Sequence, residues 1–449
     1  MNAPAHDLKK LFPTAAEVHL DPRKLYRFPW SYSDNVISWL EPTSKCNLAC
    51  EGCYRENVDN HKSLKEVRAD LDVFNKFRTY DGVSIAGGDP LLHPDVIEIV
   101  RMVAADGHKP IINTNGLALT EPLARALKEA GLIGFTFHID SKQGRPGWKN
   151  KTELQLNELR LQLATMVHGI GGLSCAFNAT IYEDTLKYVP DLVQFAEDHI
   201  DKIDVMVFIL FRAAVTEGEF DFVRNGKSIN ADEVVYSVDK ATNRLDLQAP
   251  EVVAKIRERF PDFQPSAYLG GTEKPDSFKW LFTGRFGFPG KVMGYTGPRF
   301  MEMMQTVHHL FTGKYLAYAP KATLEAGRSA MALAAIEPGV RTTAKAWLKH
   351  LLKNPLDVRK KLHFQAVMMI QPIDFLPDGR SNMCDGCPDV TVHDGQLVWS
   401  CRLEEYRKYG GLVTCVPKGA AQCGAQARAP AQVPVPAQAA TKSASKRPV

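Results

Sequence analysis

The sequence predicts an α/β fold in which a partial (β/α)6 barrel carries the chemistry on its loops. Three observations support this. Six short β-prone runs alternate with amphipathic stretches between residues 36 and 212. Turn-forming Gly, Asn and Asp residues punctuate the ends of those runs. Eight of the nine cysteines fall into two groups, Cys46 to Cys53 and Cys384 to Cys423.

The strand candidates in order are Val36–Leu40, Gly82–Ala86, Lys109–Asn113, Ile133–Ile139, Leu173–Ile181 and Ile203–Leu210. The helix candidates between them begin with Pro94–Asp106, whose apolar residues are Val96, Ile99, Val100 and Val103. Next is Glu121–Ala130, framed by Thr120 and Gly131 as cap residues. Leu154–Val167 and Asp184–Asp198 follow. A chain of βα units with short loops at the strand C-terminal ends is a TIM-like half-barrel, and such loops carry function. The expected organisation is an N-terminal lead-in (1–35), the partial barrel (36–212), a mixed, largely helical and basic segment (213–362), a small Cys-containing module (363–423) and a disordered Ala/Pro/Gln-rich tail (424–449).

Composition narrows the class. The chain has 449 residues, 45% of them hydrophobic, and a net charge of +4. Global disorder, a collagen-like chain and a disulfide scaffold are excluded. No run of about 18 uncharged apolar residues exists to cross a membrane. Met1–Lys10 lacks the apolar run of a secretory signal. Nine cysteines without such a signal are expected in a reducing, cytoplasmic setting, as metal or cluster ligands rather than disulfides.

Cys46, Cys50 and Cys53 form C-x3-C-x2-C directly after the first strand. Three thiolates from one loop suit three corners of a cubane iron–sulfur cluster and leave one iron open, a catalytic arrangement. A zinc site completed by a distant residue is the plainer alternative. The triplet resembles the signature of the radical S-adenosylmethionine (radical SAM) superfamily. The resemblance implies a [4Fe–4S] cluster on the three thiolates, S-adenosyl-L-methionine on the open iron, and a reductant such as flavodoxin or ferredoxin. It also implies one-electron cleavage to a 5′-deoxyadenosyl radical that takes hydrogen from substrate. Gly52 stands where the family usually has an aromatic residue, and Tyr54 follows instead. Gly87-Gly88-Asp89-Pro90 resembles the family's Gly-Gly-Glu-Pro turn, which approaches the methionine amino group. By the same resemblance Asn115, Asp140 and Asn178, at or near the ends of the third to fifth strands, are candidates for the ribose and the methionine carboxylate. Strand-end capping is the alternative for each.

Cys384 and Cys387 form C-x2-C, and an Asp394-Gly395 hairpin would return Cys401 to them. Cys415 is the candidate fourth ligand, with Cys423 weaker. An auxiliary iron–sulfur cluster, a zinc staple and free thiols all remain open. Cys175 is expected to be an inert core residue, and His308 and His309 to be structural.

Residues 279–361 hold fourteen Lys/Arg against four acids, among many aromatics. Basic amphipathic helices with aromatics suit a membrane surface or an anionic lipid, and an ordinary solvated basic face is the alternative. No nucleic-acid module is recognised, and no nucleic-acid partner is expected. The leading expectation is hydrogen abstraction from a lipid or other large apolar or anionic substrate, with the outcome open between carbon–carbon coupling, group transfer and epimerisation. Peptide or natural-product modification comes next. A non-catalytic iron–sulfur carrier or a peripheral membrane-surface binding protein is the reading from another class.

Overall fold

The computed structural model describes residues 20–212, 214–215, 220–230, 237–238, 247–376 and 378–418. The expected tail, Cys423 and most of the lead-in lie outside the described residues.

Six parallel strands stand side by side in chain order: β1 (Ile37–Thr43), β2 (Gly82–Gly87), β3 (Lys109–Thr114), β4 (Gly134–His138), β5 (Ser174–Ile181) and β6 (Val205–Leu210). All six match the sequence expectation to within three residues at either end. The linking helices are α1 (Leu64–Phe77), α2 (Val96–Ala105), α3 (Glu121–Glu129), α4 (Asn157–Ile170) and α5 (Val189–Asp198).

Helix α1 is an addition to the expected set. Ser63 Oγ accepts from the Glu66 amide at 3.3 Å, and the Glu66 carboxylate accepts from the Ser63 amide at 2.7 Å. This reciprocal cap satisfies two otherwise orphan donors. Helix α4 begins three residues later than expected. Glu153 is fully buried, where Arg160 and the Ser141 amide bind its carboxylate, so the chain turns there before the helix can start.

Burial alternates along the central strands. In β4 and β5, Phe135, Phe137, Cys175, Phe177 and Ala179 are buried beneath the helices. Thr136, His138, Ala176 and Asn178 are half-exposed on the other side. One face is therefore a dry core and the other an open, polar concavity. Cys175 belongs to the dry side, as expected.

The sheet does not stop at six strands. Beyond β6 lies β10 (His363–Ile370), parallel to β6. Next come β8 (Trp280–Phe288), antiparallel to β10, and β7 (Ala267–Leu269), antiparallel to β8. Strand β9 (Lys291–Tyr295) pairs β8 as a hairpin, and Tyr26–Arg27 closes the far edge beside β7. The physical reason is the open edge that β6 would otherwise present. Residues 363–370, grouped by the sequence reading with the Cys-containing module, thus form a strand of the main sheet. The segment read as largely helical supplies β7, β8 and β9 as well as α6 (Ala249–Arg257), α7 (Pro298–Thr312) and α8 (Pro338–Lys353).

Residues 314–327 strap the N-terminal ends of the strands. Lys314 reaches the Gly107 carbonyl before β3, and the Ala317 amide donates to Asp81 before β2. Lys321 pairs with Asp204 before β6. The cysteine loop after β1 is at the opposite end. His308 and His309 bind the Lys314 carbonyl and Asp34 respectively, both structural partners.

Candidate active site

The loop after β1 is held like a pocket flap by short polar ties. Thr43 Oγ1 donates to the Asn60 carbonyl at 2.9 Å. Asn57 brackets Cys46, accepting from its amide at 2.9 Å and donating to its carbonyl at 3.0 Å. These ties leave Cys46, Cys50 and Cys53 on the intervening loop, where Cys46 feels the charge of Cys53, and Cys50 that of both Cys46 and Cys53. Burial pushes all three thiols above their ordinary range. A cation must supply the charge that turns them into thiolates.

The Gly87–Gly88 turn docks straight onto that loop. Gly87 has φ +107°, and a Cβ on it would stand 2.3 Å from the Thr43 carbonyl oxygen. A Cβ on Gly88 would stand 2.2 Å from the Lys45 carbonyl oxygen. Backbone cannot yield there, so only glycine permits the approach. Asp89 is buried, and its carboxylate accepts from Thr114 Oγ1 and from the Asn115 and Leu91 amides. It ties the turn after β2 to the end of β3. Burial pushes its pKa up.

Asn115 extends toward the cysteines. Its Nδ2 donates to Asn47 Oδ1 at 2.7 Å and reaches Cys46 Sγ at 3.7 Å. Asp140 is buried beside His138, whose Nε2 lies 3.1 Å from Oδ2. Burial raises the Asp140 pKa, but the His138 hydrogen bond and charge and the Lys142 amide outweigh it and leave it low. Asn178 stands on the concave face, in register with His138.

Two features carry no local signal in sequence. Arg145 is buried between these groups. Its Nη2 donates to the His138 carbonyl and Gln143 Oε1, its Nε has no partner, and Cys50, Asp140 and Asp89 all act on its charge. Gly52 packs against Tyr182 and Phe211: a Cβ there would meet Tyr182 Oη at 2.6 Å. The place of the aromatic residue missing at position 52 is thus bordered by two aromatic rings from the ends of β5 and β6, 4.8 Å apart.

The second cysteine group is partly assembled. Cys384 and Cys387 are hydrogen-bonded to each other, and their knuckle is pinned by Asn35 Nδ2 on the Gly386 and Cys387 carbonyls. The expected hairpin forms from Val390–His393 and Gln396–Trp399, with Asp394 and Gly395 at φ 48° and 72°. The Ser400 amide closes its base on the Asp389 carbonyl at 2.9 Å, delivering Cys401 to the knuckle. Burial and Cys384 push Cys401 up to about 12. Cys415 is not brought in. It pairs with Phe222 in a separate sheet and is buried with Phe222 and Val413, in a different apolar cluster from Cys384 and Cys387.

Among the described residues no three His, Cys, Asp or Glu side chains converge tightly enough to grip a single ion. A cubane iron–sulfur cluster does not require such convergence on one ion, because each thiolate holds its own iron. The Asn115 N–H aimed at a cysteine sulfur, the glycine turn and the unpartnered Arg145 N–H fit such a group and an anionic ligand beside it.

Residues 40–196 match the family model of the radical SAM superfamily. The tungsten-containing aldehyde ferredoxin oxidoreductase cofactor-modifying protein of Pyrococcus furiosus is 33% identical over 50% of this chain and 65% of its own. The probable GTP 3′,8-cyclase of Methanocaldococcus jannaschii is 29% identical over 37% of this chain and 57% of its own. An AdoMet-dependent heme synthase of Oleidesulfovibrio alaskensis is 26% identical over 36% and 42%. The chain thus spans about two fifths to two thirds of the length of these curated relatives. Among solved structures, Streptococcus suis SuiB bound to S-adenosylmethionine aligns over 40% of this chain and 42% of that one, at TM-score 0.33 and 20% identity.

Proposed function

We propose that the chain, whose residues 40–196 match the family model of the radical SAM superfamily, is an enzyme that cleaves S-adenosylmethionine reductively and abstracts hydrogen from an unactivated C–H bond. When bound, the reduced [4Fe–4S] cluster supplies the electron for that cleavage. The observation that carries the reading is the glycine turn seated on the cysteine loop, with Arg145, Asp140 and Asn115 grouped beside it.

Each of these residues has a stated part. Cys46, Cys50 and Cys53 hold the cluster, and Asn115 directs an N–H at the Cys46 sulfur. The Gly87–Gly88 backbone admits the methionine amino group, and Asp89 fixes that backbone. Arg145 offers its unused N–H to the methionine carboxylate. Asp140 and Asn178 face the ribose, and Tyr182 and Phe211 border the adenine. Cys384, Cys387 and Cys401 hold a second iron–sulfur cluster. A flavodoxin or ferredoxin supplies electrons.

The substrate is proposed to be apolar, with lipid as its class. Tyr54, Val58, Leu117 and Leu154 support this: they are exposed apolar residues on the loops at the cysteine end of the strands. A second reading, modification of a peptide or natural product, is favoured by the position of the basic segment. Its strap and helix ends gather at the opposite end of the sheet, so its charge does not argue for the substrate.

The test is anaerobic reconstitution with S-adenosylmethionine and dithionite, followed by assay for 5′-deoxyadenosine. Product that disappears in the Cys46→Ala, Cys50→Ala, Cys53→Ala variant is expected. Equal product from that variant, or none from either protein, overturns the reading in favour of an electron carrier.

A further inference from the structure

We propose that the end of the molecule holding the N-terminal ends of the strands is a docking face for an anionic lipid bilayer, formed by the outward side of α8, the turn after it and the C-terminal end of α7.

The first observation is where exposed apolar side chains fall. Of the twelve large ones among the described residues, eight lie within residues 307–358. Leu310, Phe311, Leu352 and Leu356 are 77%, 82%, 87% and 77% exposed. Scattered single exposures are ordinary, but such a concentration marks an interaction surface.

The second is how α8 is turned. Val340 and Thr343 are buried, and Trp347 packs half-buried on the same core. Helical spacing then sets Leu348 and Leu352 outward, on one side with Lys345 and Lys349. Leu356 and Arg359 follow in the next turn. Residues 338–361 hold seven Lys/Arg against the single acid Asp357. Asp357 is engaged by His350 and Lys360. Among the described residues, Lys345, Lys349, Lys353 and Arg359 form no ion pair.

The third is that the topology gathers these pieces. His350, near the end of α8, lies against Phe288 and Lys291. Phe288 stands at the end of β8, beyond the start of β10. The turn with Leu356 leads directly into β10, whose first residue is His363. Helix α7 runs out into Lys314 of the strap beneath β3. All of them therefore share one end of the strands.

The occupant follows from the chemistry. The apolar side chains project largely exposed, and cations flank them. That arrangement lets side chains enter the acyl boundary while ammonium groups meet headgroup phosphates. A second copy of this face would bring like charges together. The cysteine loop lies at the opposite end of the strands, so docking anchors the chain with its site away from the headgroups. The inference does not rest on the radical chemistry.

The experiment is flotation of the full chain with phosphatidylcholine vesicles, with and without phosphatidylserine. Binding to the anionic vesicles alone, weakened by salt, is expected. Lys349→Gln with Lys353→Gln should weaken it about 25-fold, at about fivefold per cation near the surface. Leu352→Asp with Leu356→Asp should abolish it while leaving circular dichroism and the thermal midpoint unchanged, because both side chains are exposed. No flotation with anionic vesicles at low salt overturns the proposal. So does flotation indifferent to both variant pairs. Self-association lost in the Leu-to-Asp variant, without vesicle binding, would instead assign the face to a second copy.

Discussion

Arg55 donates to both oxygens of Ser400, at 2.6 Å to the carbonyl and 2.8 Å to the hydroxyl. One residue lies two positions after Cys53 and the other immediately before Cys401, so a single guanidinium clamps the two cysteine groups together. Glu41 completes the clamp, accepting from Arg55 Nε at 2.8 Å and from Ser400 Oγ at 2.8 Å. All three side chains are buried.

The clamp makes a stability prediction. Burial alone would raise the Glu41 pKa, but the charge and hydrogen bonds of Arg55 hold it low. Arg55→Met leaves that carboxylate buried and unpaired, at a cost of about 3–5 kcal/mol. Adding Glu41→Gln should recover much of the loss. Denaturant unfolding of the single and double variants measures it, and equal destabilisation in both would show that the charge pair is not the cause. Because the Glu41 pKa is depressed in the fold, the clamp's contribution is complete above the ordinary carboxylate range. It is lost progressively as pH falls from that range to the lower folded value.

The second cysteine group makes a metal prediction. Cys384, Cys387 and Cys401 act on one another electrostatically, whereas Cys415 lies with Phe222 and Val413. After anaerobic reconstitution, Cys384→Ala should lower iron per chain, and Cys415→Ala should leave it unchanged. Iron lost from the Cys415 variant while Cys384→Ala keeps its full content would reverse the assignment.

How far this site is legible in sequence depends on the reach of each signal. The six strands are legible because their apolar runs are short, local and bounded by turns. Helix α1 escapes the apolar pattern because Lys65, Glu66, Arg68, Asp70 and Asp72 crowd it and only Val67, Leu71 and Phe74 are buried. Its Ser63–Glu66 box is nevertheless readable. The cysteine spacing and the Gly87–Gly88 turn announce themselves within a few residues. The pairing of β10 with β6 does not, since no local pattern names a partner so distant in the chain. Arg55 and Arg145 are lone arginines in loops, and only tertiary burial gives them meaning. Cys415 shows the converse: a plausible cysteine count says nothing of which strand pairs bring the thiols together.

His108 makes a pH prediction. Its ring stacks on Tyr80 with centroids 4.0 Å apart, its Nε2 meets Asn75 Oδ1 at 3.0 Å, and Lys314 Nζ lies 3.5 Å from Nδ1. Burial and the Lys314 charge together bring its pKa down from 6.5 to about 4, against the smaller pull of Asp106 and Asp81. Between those values the unfolded chain binds the extra proton, so stability rises with pH across that window and falls on acidification. His108→Phe keeps the stacking and should flatten the dependence. Denaturation midpoints through the window measure it, and an unchanged slope would remove His108 as its source.

Arg145 makes the sharpest prediction about the cofactor. Its guanidinium is buried beside the cysteine loop, where burial works against its charge. It persists as a cation because arginine does not give up its proton in proteins. Two carbonyl-type oxygens take Nη2, but Nε is buried with no acceptor, and an unmet buried donor costs free energy. A ligand carboxylate is the group that meets a guanidinium in a bidentate way. Loss of one charge-assisted contact at about 1.5–3 kcal/mol corresponds to roughly 10–100-fold in affinity. Arg145→Gln should therefore weaken equilibrium binding of S-adenosylmethionine by that factor. Arg145→Lys should fall between, because lysine keeps the charge but not the fork. S-adenosyl-homocysteine keeps the carboxylate and should show the same ranking, whereas adenosine lacks it and should not. If adenosine binding falls as far as the others, Arg145 supports the pocket as a whole and does not hold the carboxylate.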